Sequence, residues 1–415
     1  MTRLIPTMAL IALLTTTVAS ASGEDYAAAR AELVAAYQAQ DYAAMVDAAR
    51  SALRARPGYP GARFNLALAY VLNDDAGASL EQLDLLLADG IDFGVANLDE
   101  FAAVKALPGW SRYAQQLQAL HEPVGDVTVA LQRDDDRFVP EGIAIDADGM
   151  ILLGSIRRGT IVRGDDVLTR RQRHWSVFGM RFHDDGSLWF ASAAVAQLED
   201  VGEQKGRTGL FQLDPATGEI TRVALLPQQA EEQVLGDLVI DGDDIYTTDS
   251  LTGAVYRYDT VADEFATLVP KGALGSPQGL VIDASGQWLY VADYIGGLYR
   301  VALKDGRIEK LVVEGPGSDY GIDGLYRYGD RLIAIQNGIR PHRIVSFRLA
   351  GDGQVISAMR ILAANLPAFD EPTLGVIDGD DFYFVANSHW NRFDRDNRLP
   401  DGLSGPIVLK LSLND

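Results

Sequence analysis

The chain has 415 residues, enough for two domains, and its 36 basic and 58 acidic side chains give a net charge of −22. A surface this acidic repels phosphate backbones, and no basic stripe with interleaved aromatics offsets it, which excludes nucleic acid as a partner. Without any cysteine and with five histidines, the chain is no lipoprotein or disulfide scaffold and is poorly equipped for a soft metal.

Residues 1–21 have the form of a cleaved export signal: Arg3 gives a short basic start, residues 4–18 are apolar but too few to span a bilayer, and Ala19-Ser20-Ala21 is a small-residue cleavage pattern. The mature chain is expected to start near Ser22 and to reside in the periplasm or outside the cell. No later stretch is apolar enough for a membrane span.

Residues 22–122 read as a helical domain, with Ala, Leu, Gln and Arg at helical spacing and few β-branched residues. Leu66, Ala67, Tyr70, Ser79, Leu83 and Leu86 fall where a tetratricopeptide repeat places its packing residues. Met45, Ala49, Ala52 and Pro57 form a degenerate earlier copy, and residues 93–120 read as a closing helical cap. The unit is either a passive prop packed on the β-rich remainder of the chain or an adaptor for a protein partner.

From residue 123 the text changes period. PEGIAIDADGMILLGS, FGMRFHDDGSLWFAS, LGDLVIDGDDIYTTDS, PQGLVIDASGQWLYVAD, IDGLYRYGDRLIAIQN and, more weakly, EPTLGVIDGDDFYFVAN are six copies of one β-hairpin. Anchored on Glu141, Phe178, Gly236, Gln278, Asp323 and Thr373, the copies lie 37 to 58 residues apart, the period of propeller blades. The fold class is therefore an all-β six-bladed β-propeller over residues 123–415, preceded by an all-α tetratricopeptide-like domain. Residues 127–131 form a strand without a hairpin of its own. They are expected to pair with 407–413 and complete the sixth blade, which leaves no exposed edge.

In such a blade the first residue of the inner strand and the polar residue ending the second strand meet at one mouth of the central channel. The first column holds Glu141, Gln278, Asp323 and Thr373, with Asp237 directly after Gly236. The second holds Ser155, Ser192, Asp249, Asp293, Gln336 with Asn337, and Asn387. Carboxylates and an amide carbonyl converging on one axis form an oxygen cage suited to a hard divalent cation such as Ca²⁺. The plainer reading is that these residues cap strand starts and bind channel water.

These motifs resemble the family of senescence marker protein (regucalcin), gluconolactonase and luciferin-regenerating enzyme, over about 290 residues. The resemblance implies that Glu141, Gln278 and Asp323 hold a divalent metal and that Asp323 is also the catalytic base. The motifs concerned are PEGIAID, PQGLVID and IDGLYRY. Two departures bear on specificity: Gln278 stands where the family has Asn, and Gly236-Asp237 replaces an Asn-Asp pair, with Val234 where the family has a substrate-gripping Arg. Sugar-lactone recognition does not carry over at those positions. Propellers of the strictosidine-synthase-like and NHL types share the hairpins without that chemistry.

The resulting expectation is a metal-dependent hydrolase acting on a lactone or ester of a small molecule, with Asp237, Asp249, Asp293, Asn337 and Asn387 around the substrate. The alternative is a non-catalytic propeller that binds a ligand or protein. His174, Trp175, Tyr294 and Tyr320 lie near the mouth and either stack on a ligand or pack between blades. The insertion from Ala193 and the loop QNGIRPHR are candidate pocket walls, with His342 and His389 as candidate acids or bases. Asp394, Asp396 and Asp401 invite a calcium-loop reading, but an EF-hand needs an acid or amide at Arg398 and a flanking Glu. No nucleophile elbow, phosphate-cradling loop or HExxH is present.

Overall fold

A computed structural model describes residues 21–414. The expected leader and its cleavage site, Ala21 apart, lie outside the described residues. No described helix is long and apolar enough to cross a membrane.

Six sheets, five of four strands and one of five, form the blades. Their inner strands are Pro140–Ile145, Ser176–Phe182, Leu235–Asp241, Pro277–Ile282, Ile322–Tyr328 and Gly375–Asp378. Each packs against the next and the last packs against the first, so the ring is closed with six blades. Its closure is the expected one: Val127–Gln132 runs antiparallel to Ile407–Ser412, with Val127 opposite Leu411 and Leu131 opposite Val408. Pairing the first strand into the last blade joins the two ends of the propeller through backbone hydrogen bonds. Within blades the apolar alternation seen in the sequence fills the space between sheets, as where Phe190 and Phe211 stack 5.5 Å apart and are fully buried.

One irregularity recurs in five inner strands. Regular pairing with the second strand breaks between Pro140 and Ile143, Val177 and Met180, Leu235 and Leu238, Pro277 and Leu280, and Ile322 and Leu325. Each break contains the first-column residue and the one after it. A bulge of this kind re-aims a side chain and bends the strand, so the same local defect points one residue per blade at the channel. The glycine after the first-column residue lets neighbouring strands touch: a methyl on Gly279 would lie 2.6 Å from the Asp323 carbonyl oxygen, and one on Gly142 would overlap that of Phe178.

Ahead of the propeller lie helices α1 (Ala21–Ala39), α2 (Tyr42–Ala55), α3 (Pro60–Leu72), α4 (Ala76–Ala88), α5 (Ala102–Lys105) and α6 (Trp110–Leu120). The first four pack consecutively. Met45, Ala49 and Ala52 on α2, Leu66 and Ala67 on α3, and Ser79, Leu83 and Leu86 on α4 are buried between them, with Ser79 donating to the Ala67 carbonyl at 2.8 Å. This is a helical region with its own core.

The region is bolted to blade five. The Arg343 guanidinium, fully buried, donates to the Asp89 and Gly90 carbonyls at the end of α4 and to Gln336 Oε1 at 2.7 Å. Gly90, at φ +71°, has no room for a side chain, because a methyl would lie 2.5 Å from that guanidinium. Burial pulls the Arg343 pKa down to about 10, still charged at neutral pH and suited to the negative end of a helix. Arg343→Met should destabilise the protein by about 3 kcal/mol, because buried helix-end carbonyls lose their donors. Chemical denaturation of the variant and the parent measures that difference.

Candidate functional site

Three first-column residues share one hydrogen-bond cluster in the channel. The Thr373 hydroxyl oxygen, fully buried, lies 2.7 Å from Glu141 Oε1 and 2.9 Å from Asp323 Oδ2. A hydroxyl has one hydrogen, so it can satisfy only one of those two acceptors. Two carboxylates brought this close need a further positive charge: a proton or a cation.

The electrostatics agree. Burial, then the Asp323 charge, raises the Glu141 pKa well above the usual carboxylate range, although Trp390 donates to it and the Thr373 hydroxyl lies within reach. Burial raises Asp323 to about 6 against the opposing donors Thr373 and Asn337, with Asp237 adding repulsion. Asn337 donates from Nδ2 to Asp323 Oδ2 at 2.7 Å and to the Pro372 carbonyl at 2.9 Å. Its Oδ1 is buried without a partner. A buried acceptor left unpaired costs about 1–3 kcal/mol, so it marks a place where a donor or cation belongs. Gln278 sits on the adjoining inner strand; its Nε2 donates to Ser276 Oγ at 3.1 Å and it bonds to neither carboxylate. Among the described residues no group of three or more His, Asp or Glu side chains is placed to hold a metal. The oxygens at hand are two carboxylates and amide carbonyls.

The loop after the sixth hairpin completes this cluster. Trp390, on a single 3-10 turn (Trp390–Arg392), donates its indole N–H to Glu141 Oε2 at 2.6 Å. The turn is held by the segment just before Thr373: Glu371 Oε2 accepts from the Asn391 amide at 2.7 Å, and Asp370 Oδ2 pairs with Arg392 at 2.7 Å. Glu371 adopts φ +64°, a left-handed conformation rare for a residue with a side chain. Its carboxyl is raised to about 7, first by burial and then, against the Asn391 amide, by the charges of Asp323 and Asp370. Such partners orient a ligand and tune its basicity. Trp390→Phe should therefore raise the Glu141 pKa further by removing its Oε2 donor without unfolding the blade, a change that a pH titration with a thermal melt as control would detect.

A second layer joins Asp237, directly after Gly236, to Arg181 and Tyr326, which stand three residues after Phe178 and Asp323. Asp237 is buried, accepts from Arg181 at 3.2 Å and from the Leu238 amide at 2.9 Å, and so is held by the protein itself. The Arg181 guanidinium also lies 5.6 Å from the Tyr326 ring centre, and the Tyr326 hydroxyl accepts from the Gly375 amide.

The second column divides. Asn337 belongs to the cluster. Asp249 accepts from the Val234, Leu251 and Thr252 amides and from the Thr252 hydroxyl; Asp293 accepts from the Gly275, Ser276, Ile295 and Gly296 amides. Asn387 ties Ser404 and Gly405 to the Ile407 amide. The oxygens of these three residues are occupied by the loops they shape, and none bonds to Glu141 or Asp323. Among the aromatics, His174 and Trp175 pack edge-on against Phe211 in blade two. His174 donates to the Gly159 carbonyl, and burial lowers its pKa to about 4. Asp394 accepts from the Asp396 and Arg398 amides, Asp396 pairs with Arg398 and Asp401 with Arg137, so the loop acids turn the chain and pair with arginines. His389 is buried between Asn387, Ser404 and Asp370 rather than exposed.

Sequence reasoning left out Trp390, Glu371, Arg181 and Tyr326. Arg181 and Tyr326 stand at equal positions in copies two and five and could have been found by reading one layer deeper. Trp390 lies in a loop without a counterpart in other copies, where the repeat gives no signal.

No protein-family model matches the chain, and no curated protein matches it in sequence. Solved structures do match. A calcium-binding regucalcin from Agrobacterium tumefaciens aligns over 70% of this chain and 95% of its own, with a TM-score of 0.50 at 16% identity. Luciferin-regenerating enzyme aligns over 71% and 96%, with a TM-score of 0.49 at 12% identity. A chain of the nidogen/laminin complex aligns over 65% and 88%, with a TM-score of 0.42 at 14% identity. At these identities the likeness is one of fold, and a fold does not assign an activity.

Proposed function

We propose that the chain is an exported, calcium-dependent hydrolase that opens a lactone or ester of a small molecule at the mouth of the propeller channel. The observation that carries this reading is the shared Thr373 hydroxyl between Glu141 and Asp323. It leaves the pair one positive charge short, beside an Asn337 carbonyl oxygen that is buried and unpartnered. Glu141, Asp323, Asn337 Oδ1 and Gln278 Oε1 would hold the cation, all hard oxygen donors of the kind Ca²⁺ takes. Calcium binding by the regucalcin of like fold supports the choice of ion.

A divalent cation at this point supplies charge that polarises the substrate carbonyl and acidifies water. The protein supplies the rest. Asp323, raised to about 6, is ionised at neutral pH yet basic enough to take a proton from an attacking water. Thr373 and Asn337 fix the Asp323 carboxylate, and Trp390 fixes Glu141 so that Oε1 faces the shared centre. The proton held on Asp323 can then pass to the departing alkoxide.

A panel of lactones and aryl esters, assayed with and without chelator, tests this. Hydrolysis that disappears with chelation and returns with added calcium is expected; turnover indifferent to chelation removes the metal from the account. Export rests on the leader and is checked by the mature N-terminus, expected near Ser22; a retained Met1 would remove it.

A further inference from the structure

The helical region reaches the same mouth. The turn between α2 and α3 lies on blades four and five: Arg56 donates to the Ile295 carbonyl at 3.4 Å, and the Tyr320 hydroxyl donates to that of Pro57 at 3.3 Å. Tyr59 ends this turn as the residue before α3, and Pro60 at the first helical position fixes where its ring leaves the backbone. That ring packs on Tyr320 with centroids 5.3 Å apart and receives Tyr26 edge-on at 5.7 Å.

Tyr294 is next along the rim. Its ring lies across Gly338, where a methyl would be 2.6 Å from Cζ and 2.8 Å from the hydroxyl. Gly338 follows Asn337, the residue bonded to Asp323. The Gly321 amide, directly after Tyr320, donates to the Tyr294 carbonyl at 2.9 Å, which joins Tyr294 to the ring that Tyr59 packs on; burial, then the charge of Asp323, raises the Tyr294 pKa. At Glu141 the indole of Trp390 forms a second aromatic surface, with Phe178 and Phe393 each 6.3 Å away. Tyr59, Tyr294 and Trp390 all keep part of their surface exposed.

We infer that the helical region forms one wall of the site, and that Tyr59 together with Tyr294 selects a neutral or cationic substrate carrying an aromatic ring. Ring faces favour another ring by stacking or edge-on contact and attract cations. An anionic group meets the opposite situation: carboxylates line the mouth, and the Arg181 guanidinium is already held by Asp237. This inference rests on the hydrolase reading of the same site and names its substrate class.

The test uses two unreactive lactams that differ only in aromaticity, 5-phenyl-2-pyrrolidinone and 5-cyclohexyl-2-pyrrolidinone, titrated calorimetrically into the calcium-treated full chain. The phenyl compound is expected to bind roughly threefold to tenfold tighter. Tyr59→Leu should erase that preference, Tyr59→Phe should keep it, and calcium affinity should be unchanged in both. Tyr294→Leu reads the same wall from the propeller side if the Tyr59 variant does not fold. Equal binding of the two lactams, or a preference that survives both leucine variants, overturns the inference. A preference lost as described in a chain that hydrolyses no lactone would keep the aromatic wall and remove the hydrolase; hydrolysis without the preference would do the reverse.

Discussion

Asp323→Ala is expected to lower hydrolysis by on the order of 10³-fold or more while the propeller stays folded. The variant loses a metal ligand and the proton acceptor together, two contributions that act as a unit. Folding should survive because the carboxylate is a liability before calcium binds: it is desolvated beside Glu141 with too few donors. Asp323→Asn sharpens the comparison. It keeps the shape and an oxygen donor but cannot take a proton, so it should bind calcium more weakly and remain inactive. Activity retained in either variant would place the base elsewhere.

The second large effect is on pH. The carboxyl of Asp323 rises from an ordinary 3.8 to about 6, that of Glu371 from 4.5 to about 7, and Glu141 shifts the same way. Groups whose folded pKa is raised bind protons more tightly in the native state. The stability they contribute is full below their unfolded values and is lost as pH rises through about 6 to 7. The metal-free protein should therefore lose thermal stability between pH 5 and pH 8. Under the proposed function calcium would act in the opposite sense, because the ion would have to displace the protons on Glu141 and Asp323 to bind. Its affinity should fall by about tenfold or more from pH 8 to pH 5, and the melting shift on adding calcium should be large at pH 8 and small at pH 5. Calorimetric melts at both pH values, with calcium or chelator, measure it; a shift equal at the two would detach the ion from these carboxyls.

The propeller was legible because its code is local and repeated. Each hairpin announces itself by a period of two and a turn, and six copies leave little choice of architecture. The closing strand could be placed for the same reason: residues 127–132 have strand character and no partner of their own. The column logic also reached Glu141 and Asp323, since symmetry carries equivalent positions to one axis, and Asn337 one residue past the second column.

It does not disclose where a side chain is taken up by backbone amides nearby. Asp249 and Asp293 stand in register with Gln336, one residue before Asn337, and their loops fold back and present several N–H groups to them, which no count of repeats discloses. The reverse holds for Trp390: it stands outside the repeat and reaches Glu141 because Asp370 and Glu371 pin its loop. The helical region's reach to the mouth was equally hidden. The Arg343 anchor and the turn at 56–59 join residues more than 200 positions apart, a separation at which composition and periodicity carry no information.

The most direct measurement is a calorimetric calcium titration of the purified protein at pH 8, repeated on Glu141→Ala and Asp323→Ala. One ion per chain, with affinity lost by at least about a hundredfold in each variant, is the predicted result, because each removes both a ligand and a neutralising charge. Equal affinity in all three proteins, or no binding in any, would contradict the account and leave Glu141, Thr373 and Asp323 as a polar lining of the channel.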